Sequence, residues 1–511
     1  MNPLDLKNNA LFLSCWYERA RPVPMICFGI LILSIMFLSF FSISLHVTKF
    51  IELCQACFYV IVGAQVLVLI FQGAMFASHM ASRERTGETL DFHRNSPQPV
   101  NGKIMGLLFG STWFEWGIFF ALLILELPFA FLAGFRMSQV VLMNISLILS
   151  GVFFHTIAAM SSLLSTQKKR GGSIGLLLLF FWFGAPFLFF CVSSSSSPFF
   201  SHLLGLAAFQ YIAPEQASHF LNGRFYLWEF PLIMVQVMIQ GPLLFLIING
   251  MKRIFCLPNS PAWSKVDVIR FCIFLFFIIT GFFVASYTHV DDVLSLKNSF
   301  RYAHYTVGEF LEQELYLFTL LFVVVGAMVS FFCVPIYSKC SKYFVLKKGT
   351  VKEWGGIFDD GASSFWAIAL YIGVGALFSF PYLMVLKPSF YNGVVYFVML
   401  SVYVAALAGF LEFFRLSRFR NNKIFFVTVL LMWWVFVPWM LSLPQNFKWD
   451  SSPFTASISP LFGIFYAVFC LLGKKPLDIV TVVIPCLVAG VMWLLAYQEH
   501  KAIERQMGGQ G

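Results

Sequence analysis

Charged side chains are scarce in this sequence. Asp, Glu, Lys and Arg together make up 11% of its 511 residues, whereas they make up about 25% of a typical soluble domain. Hydrophobic residues make up 59% of the chain, and the mean hydropathy is +0.81. A chain with so few charges cannot cover a water-facing surface. The composition therefore excludes a soluble globular fold and predicts an all-α polytopic membrane protein.

Several motifs of catalysis and cofactor binding are also missing. The pattern G-x-x-x-x-G-K-[ST] occurs nowhere, because the Gly-Lys pairs at 102–103 and 473–474 are followed by Ile104 and Lys475. The chain therefore lacks the loop with which P-loop ATPases bind phosphate. It also lacks H-E-x-x-H, and its 11 cysteines are scattered. We expect no enzymatic activity, no metal and no cofactor in this chain itself.

Basic residues outnumber acidic ones, and their distribution indicates how the chain crosses the membrane. The formal net charge is +10, but no segment forms a basic domain, so nucleic acid is not an expected partner. With residue 1 in the cytoplasm, the inner loops contain 25 of the 34 basic residues. This positive-inside bias predicts that both termini are cytoplasmic. The twelve apolar runs long enough to span a bilayer are 23–45, 52–80, 104–135, 138–165, 173–194, 229–249, 270–288, 315–337, 364–386, 391–414, 424–443 and 478–497.

The twelve runs fall into two halves of six. A short basic hinge follows the fourth and the tenth run, and a longer basic loop follows the second and the eighth. We predict an N-terminal amphipathic interfacial helix within 1–22, starting near Leu4, a first transmembrane half at 23–265 and a second at 266–511.

Two further apolar stretches are interpreted as outer re-entrant hairpins. They are residues 194–220, broken by Pro198 and Pro214, and residues 454–472. Each precedes the last span of its half, and such a hairpin is tolerated where protein surrounds it. The alternative is that 454–472 is a thirteenth span.

One polar stretch between two apolar runs is the most informative part of the chain. It reads SRERTGETLDFHRNSPQPVNGKIMG and covers 82–106. Thr89 can start a short helix, and Ser96 before Pro97 can end it, because the residue before proline avoids the helical region. The pattern predicts a short charged helix at the membrane face, suited to docking a soluble partner.

This stretch resembles the ABC-2 exporter permeases. In that family E-R-E-x-G-T-L-D, then T/S-P, then G-K-x-x-G joins the second and third spanning helices and docks on the ATPase subunit. Many of these permeases also begin with a basic helix along the cytoplasmic face. The resemblance implies that the coupling residues are Arg83, Glu84, Arg85, Gly87, Glu88, Thr89, Asp91, Ser96 and Pro97.

The resemblance also implies the function. The chain would be the permease subunit of an ATP-driven ABC-2 exporter in the cytoplasmic (inner) membrane of a prokaryote. Its partners would be membrane lipids and a separately encoded ABC ATPase, in two copies, which would hold the ATP and Mg. The substrate is not readable from the sequence.

A few ionisable residues lie inside the predicted spans, where they are costly and mark functional sites by default. Glu115 and Glu126 are eleven residues apart on the third span, which is about three helical turns, so they share a face. With His155 on the fourth span, they are candidates either for interhelical contacts or for the substrate path. Glu412 is expected to pair with Arg415, one turn away.

Two other classes of function remain as alternatives. An ion- or proton-coupled secondary transporter also often has twelve helices in two repeats, with broken helices and polar residues at mid-membrane. Pro186, Pro242 and Pro381 provide only weak breaks in the spans. A membrane-embedded lipid-modifying enzyme is less favoured, because no catalytic constellation is visible.

Overall fold

The computed structural model describes a set of separate stretches of the chain. They are residues 9–19, 50–86, 95, 97–164, 224–256, 262–288, 307–335, 340, 361–386, 390–417, 471 and 479–508.

The described part of the chain is almost entirely helical. Its helices are α1 (Ala10–Arg19), α2 (Phe50–Val66), α3 (Gly73–Thr86), α4 (Val100–Leu132), α5 (Met137–Leu164), α6 (Leu232–Cys256), α7 (Lys265–Thr288), α8 (Val307–Cys333), α9 (Phe365–Leu386), α10 (Phe390–Leu416) and α11 (Ile479–Gly508). A π-helical segment, Leu67–Gln72, joins α2 to α3 without a break. Ahead of α6, strands β1 (Arg224–Phe225) and β2 (Trp228–Glu229) pair antiparallel as a small hairpin.

Eight helices among the described residues are long and apolar enough to cross a membrane. The run from α2 through α3 is the longest of them, and α8 contributes a shorter apolar segment, Leu321–Cys333. These helices confirm the prediction of an all-α, multi-pass membrane protein.

Nine of the twelve predicted spans coincide with helices of the structure. The predicted spans 23–45, 173–194 and 424–443 lie outside the described residues, as do the hairpin stretches 194–220 and, apart from its residue 471, 454–472. The total of twelve or thirteen spans therefore stays a prediction.

Caps explain where two of the helices begin. The α1 helix begins at Ala10, after Asn9, whose side chain accepts hydrogen bonds from the backbone N–H groups of the second and third helical residues at 3.1 Å each. The predicted start near Leu4 lies outside the described residues. At the start of α7, the Asp267 carboxylate accepts a hydrogen bond from the Ser264 backbone N–H at 3.1 Å, and the Ser264 hydroxyl accepts one from the Asp267 backbone N–H at 3.2 Å. This reciprocal pair is a capping box.

The chain divides into two compact units. The first unit comprises Met1–Ala262 and Ala285–Leu296, and the second comprises Trp263–Val284 and Lys297–Gly511. In the first unit α3 packs on α5, α2 packs on α4, α6 packs on α5 and α1 lies along α4. In the second unit α10 packs on α11, and α8 packs on α10 and α9.

Aromatic residues fill the core of the second unit. The rings of Phe283 and Tyr382 stack with centroids 3.9 Å apart, and Phe318 lies against the same tyrosine at 4.6 Å. Two of the tyrosine hydroxyls buried in this core have partners, since Tyr396 shares a 2.6 Å hydrogen bond with the Thr319 hydroxyl and Tyr371 donates to the Phe322 carbonyl. Satisfied hydroxyls let these rings lie in an apolar interior without leaving a polar group unpaired.

Candidate functional site

The predicted coupling stretch begins later than the sequence indicated. The α3 helix continues to Thr86, so the residues at 83–85 lie in its last turn rather than in a loop. No helix breaker precedes Gly87, and basic side chains in a last turn favour the helix dipole. On the other side, α4 begins at Val100 directly after Pro99, whose backbone is extended. Proline at this position withholds an N–H that a helix start would leave unpaired.

The three charged residues in the last turn of α3 differ in their surroundings. The Arg83 side chain is exposed, whereas Glu84 is buried. The Arg85 guanidinium donates a hydrogen bond to the backbone carbonyl of Leu163, near the end of α5. Arg85 therefore ties α3 to α5, and Arg83 is the residue of the three that presents its charge to solvent.

The remaining predicted coupling residues are mostly not described. Gly87, Glu88, Thr89, Asp91 and Ser96 lie outside the described residues, and Pro97 is exposed. Their role in docking an ATPase stays a prediction.

Glycines on α4 seat the N-terminal helix. Gly102, Gly106 and Gly110 are spaced by four and therefore share one face of α4. The Asn9 amide donates a 2.5 Å hydrogen bond to the Gly102 carbonyl, and a Cβ at Gly106 would lie 2.6 Å from the Asn9 amide oxygen. At Gly110 a Cβ would lie 2.9 Å from the backbone oxygen of Phe12. Small residues with this spacing let two helices approach closely.

The N-terminal helix α1 lies near both ends of the coupling stretch. On the α4 side, the rings of Trp16 and Trp113 are 5.6 Å apart. Burial raises the pKa of the Cys15 thiol to about 12, with the Glu84 charge raising it further and the Arg83 charge lowering it. Cys15 is thus close enough to the last turn of α3 to be influenced by its charges. We conclude that α1 packs on the helix that leaves the stretch and that its Cys15 lies within electrostatic range of the last turn of the helix that enters it.

Glu115 and Glu126 share a face of α4, as their spacing predicted, and this face packs against the spanning helix before it. Both carboxylates are fully buried. The Gln72 amide donates to Glu115 at 3.3 Å, and the Gln65 amide donates to Glu126 at 2.7 Å. Asn144 on α5 also donates to Glu126, at 3.0 and 3.3 Å to its two oxygens. Glu126 therefore joins three helices.

His155 is held by the π-helical segment. Its Nε2–H donates a 2.6 Å hydrogen bond to the carbonyl of Leu69, within Leu67–Gln72. The ring lies edge-on to Trp116 with centroids 5.8 Å apart, and a Cβ on Gly73 would lie 2.1 Å from Nε2. A π turn disturbs the regular pairing of backbone carbonyls, and here the imidazole supplies the hydrogen bond.

A second buried polar network joins α5 to α6, and sequence reasoning missed it. The Gln236 amide donates to the Ser150 hydroxyl at 2.9 Å and to the Ser146 carbonyl at 3.0 Å. Gln240 donates to Ser150 at 3.3 Å. The signal was present, because both glutamines and both serines are four residues apart on otherwise apolar helices.

Glu412 pairs with a residue other than the predicted Arg415. Its carboxylate is 2.5 Å from Nε2 of His500 on α11 and accepts a 2.9 Å hydrogen bond from the Ser364 backbone N–H. The other ring nitrogen of His500 is 3.3 Å from the Cys340 sulfur. These contacts connect distant segments of the second unit, so helical spacing could not reveal them.

Arg415 instead caps the end of α8. Its guanidinium donates to the carbonyls of Phe331 and Val334 at 2.8 and 3.0 Å and lies 4.4 Å from the centroid of the Phe331 ring. The last carbonyls of a helix have no intrahelical donor, so they are good acceptors for a guanidinium. The Glu412 carboxylate already has other partners.

The sites described so far are polar networks inside a membrane-spanning helical bundle. Comparisons with protein-family models, curated proteins and solved structures give no match for this chain. Family and function therefore rest on the residues and their geometry, and the geometry establishes a multi-pass helical membrane protein.

Proposed function

We propose that this chain is the permease subunit of an ATP-driven ABC-2 type exporter in the cytoplasmic membrane of a prokaryote. It would contain two six-helix halves and would move a substrate across the membrane with a separately encoded ABC ATPase. Both termini would be cytoplasmic. The chain itself would bind no nucleotide, so purified protein freed of its partner would not hydrolyse ATP.

One observation carries the proposal. The charged stretch between α3 and α4 connects two spanning helices, and α1 packs along α4 with its Cys15 within range of the Glu84 charge in the last turn of α3. A soluble partner that binds such a stretch can move two spanning helices at once, because the stretch joins the end of one helix to the start of the other and the two helices pack on each other.

The packing within the two units supports the division into halves. The predicted spans are numbered in chain order. In the first half, span two packs on spans three and four, and span four packs on span six. In the second half, span eight packs on spans nine and ten, and span ten packs on span twelve. The same pairs in the same order are expected of two copies of one six-helix arrangement.

In the proposed mechanism, nucleotide binding brings two ATPase subunits together and their motion pushes on the coupling stretch. Arg85 bonds to the Leu163 carbonyl of α5, and Glu126 joins α4 to α2 and α5. Displacement at the stretch would therefore move these helices as a group rather than singly. The basic loop at 338–362 is a second contact candidate.

The experiment that tests this function uses charge reversal in the stretch. The double variant Glu88→Lys with Asp91→Lys should greatly reduce co-purification with the separately encoded ABC ATPase, because attraction across the interface becomes repulsion. Membrane insertion should stay normal, since both residues lie outside the predicted spans.

The matched control reverses an acidic pair on the opposite face. Asp291→Lys with Asp292→Lys lies in a predicted outer loop and should leave ATPase binding intact. The proposal is wrong if the Glu88 and Asp91 variant binds and stimulates the ATPase at the wild-type level.

A cation-coupled carrier is the second candidate function, and one observation favours it. Glu126 is a buried carboxylate bound by two neutral amides in the described bundle, as expected of a residue that takes up a coupling ion. Transport that persists in vesicles without ATP, driven by an imposed ion gradient, would support this candidate over the exporter.

A further inference from the structure

Two buried carboxylates in the spanning helices differ in how their charge is balanced. Glu412 has an imidazole at 2.5 Å. Within the described part of the chain, Glu126 is hydrogen-bonded only to the amides of Gln65 and Asn144. An amide donates a hydrogen bond but carries no charge. An ionised carboxylate in an apolar bundle is strongly disfavoured without a positive charge nearby.

The side-chain amide oxygens of Gln65 and Asn144 are a second feature of this site. Gln65 is 0% exposed and Asn144 is 4% exposed. Each uses its N–H group on Glu126, and within the described residues neither amide oxygen has a hydrogen-bond partner. A further hydrogen bond of 3.0 Å from Asn144 to the Val140 carbonyl fixes which end of that amide is the nitrogen. Buried acceptors of this kind are rare and require an explanation.

Within the described residues, no titratable group contacts Glu126 directly and could supply the missing charge. In the described bundle, α5 contributes His155, about three turns from Asn144, whose ring bonds to the Leu69 carbonyl. On α4 itself, Glu115 adds a further acid and bonds to Gln72. The other titratable groups on these elements are Glu52, Cys54, Cys57 and Tyr59 on α2, His79, Arg83, Glu84 and Arg85 on α3, Lys103 on α4, Arg136 between α4 and α5, Lys252, Arg253 and Cys256 on α6, and Cys15, Tyr17, Glu18 and Arg19 on α1.

We propose that Glu126, Gln65 and Asn144 form a buried site for one monovalent cation, either a proton or an alkali ion such as Na⁺. The ligand set is two carboxylate oxygens and two amide oxygens, which are hard donors and suit hard cations. One positive charge neutralises Glu126, whereas a divalent ion would leave an excess charge in an apolar interior.

This inference does not depend on the exporter proposal, because it concerns the folded chain alone. The site joins α2, α4 and α5, so its occupant binds the folded bundle and not the unfolded chain. Occupancy must therefore stabilise the fold by mass action. Thermal unfolding of the purified full-length chain in detergent measures this directly.

The experiment has two arms. In the first, NaCl or KCl replaces choline chloride at constant ionic strength and pH, and an alkali ion at the site raises the unfolding midpoint by about 2–4 °C. In the second, pH varies at constant salt. A proton held by the folded chain and released on unfolding makes stability fall as pH rises.

Glu126→Gln is the decisive variant, since it keeps the size of the side chain and removes its charge. If the wild type responds to the alkali ion or to pH, Glu126→Gln should lose that change in the unfolding midpoint. Glu115→Gln should keep it. The first arm identifies an alkali ion and the second a proton. Identical responses of wild type and Glu126→Gln in both arms would overturn the proposal.

Direct measurements on the wild type cover the case in which Glu126→Gln does not purify. Radiolabelled sodium should bind at about one ion per chain, or infrared spectroscopy at neutral pH should show the band of a protonated carboxyl. Gln65→Leu should weaken sodium binding or shift that band. If the wild type shows neither the bound ion nor the band, the site does not exist.

Discussion

Two glycines ten residues apart on the same long spanning helix differ in the space available for a side chain. At Gly73 a Cβ would lie 2.1 Å from the Nε2 atom of His155, and at Gly63 it would meet nothing within 4 Å. Gly73 is therefore needed so that the imidazole can reach the Leu69 carbonyl. Gly63 has no such neighbour in the described part of the bundle.

This contrast predicts different effects of the same substitution. Gly73→Ala should lower the free energy of unfolding by about 1–3 kcal/mol, because the imidazole must leave its hydrogen bond or the helices must separate. Gly63→Ala should be neutral or stabilising by about 0.5–1 kcal/mol, because alanine is the better helix former. Thermal unfolding in one detergent compares them, and equal losses would contradict the assigned role of Gly73.

The residue scale also shows what sequence could and could not provide for the candidate site. The burial of Glu115, Glu126 and His155 followed from their positions in apolar runs. Their partners did not, since Gln65 and Glu126 are 61 residues apart and Glu412 and His500 are 88 apart. Pairs at such separations are set by tertiary packing, and helical periodicity carries no information about them.

At the scale of elements, α1 packs on the glycine face of α4 that follows the coupling stretch. The Cys15 thiol lies in this contact, fully buried, with its pKa raised to about 12. At neutral pH the thiol is protonated and covered, and thiol reagents attack the thiolate. Cys15 therefore reports whether α1 is seated.

We expect Gly110→Val to unseat α1, because even the first side-chain carbon would lie 2.9 Å from the Phe12 backbone. In a chain whose only cysteine is Cys15, maleimide labelling at neutral pH should be slow in the parent and much faster in this variant. Gly117→Val on the same helix is the control, because a Cβ there would meet nothing within 4 Å. Equal labelling of both variants would argue against the glycine contact.

Helix positions were predictable because apolar length is a direct consequence of bilayer thickness. Helix ends were less so. The α11 helix was predicted to end at 497 and continues to Gly508, since residues after the apolar run, such as Lys501 and Glu504, are good helix formers. The α8 helix likewise begins at Val307, ahead of the predicted 315. Hydropathy locates the part of a helix in lipid and not its extension into water.

At the scale of the whole molecule, the distribution of basic residues predicts cytoplasmic termini. Cysteines introduced at Arg83 and Gln506, both exposed, into a cysteine-free chain should resist a membrane-impermeant thiol reagent in intact cells. Both should react after permeabilisation, because cytoplasmic positions then become accessible. Labelling of Gln506→Cys alone in intact cells would indicate thirteen spans, with 454–472 crossing the membrane.

The Asn9 side chain has a consequence for the order of synthesis. It caps α1 and also bonds to the Gly102 carbonyl, 93 residues later. At about 5–20 residues per second, the ribosome needs about 5–20 s to produce that partner. Meanwhile a helix of 10 residues is too short to persist alone in water. The nascent α1 therefore lacks its packing partner during that time, and chains truncated before Gly102 should be cleaved near the N-terminus by proteases faster than the full chain.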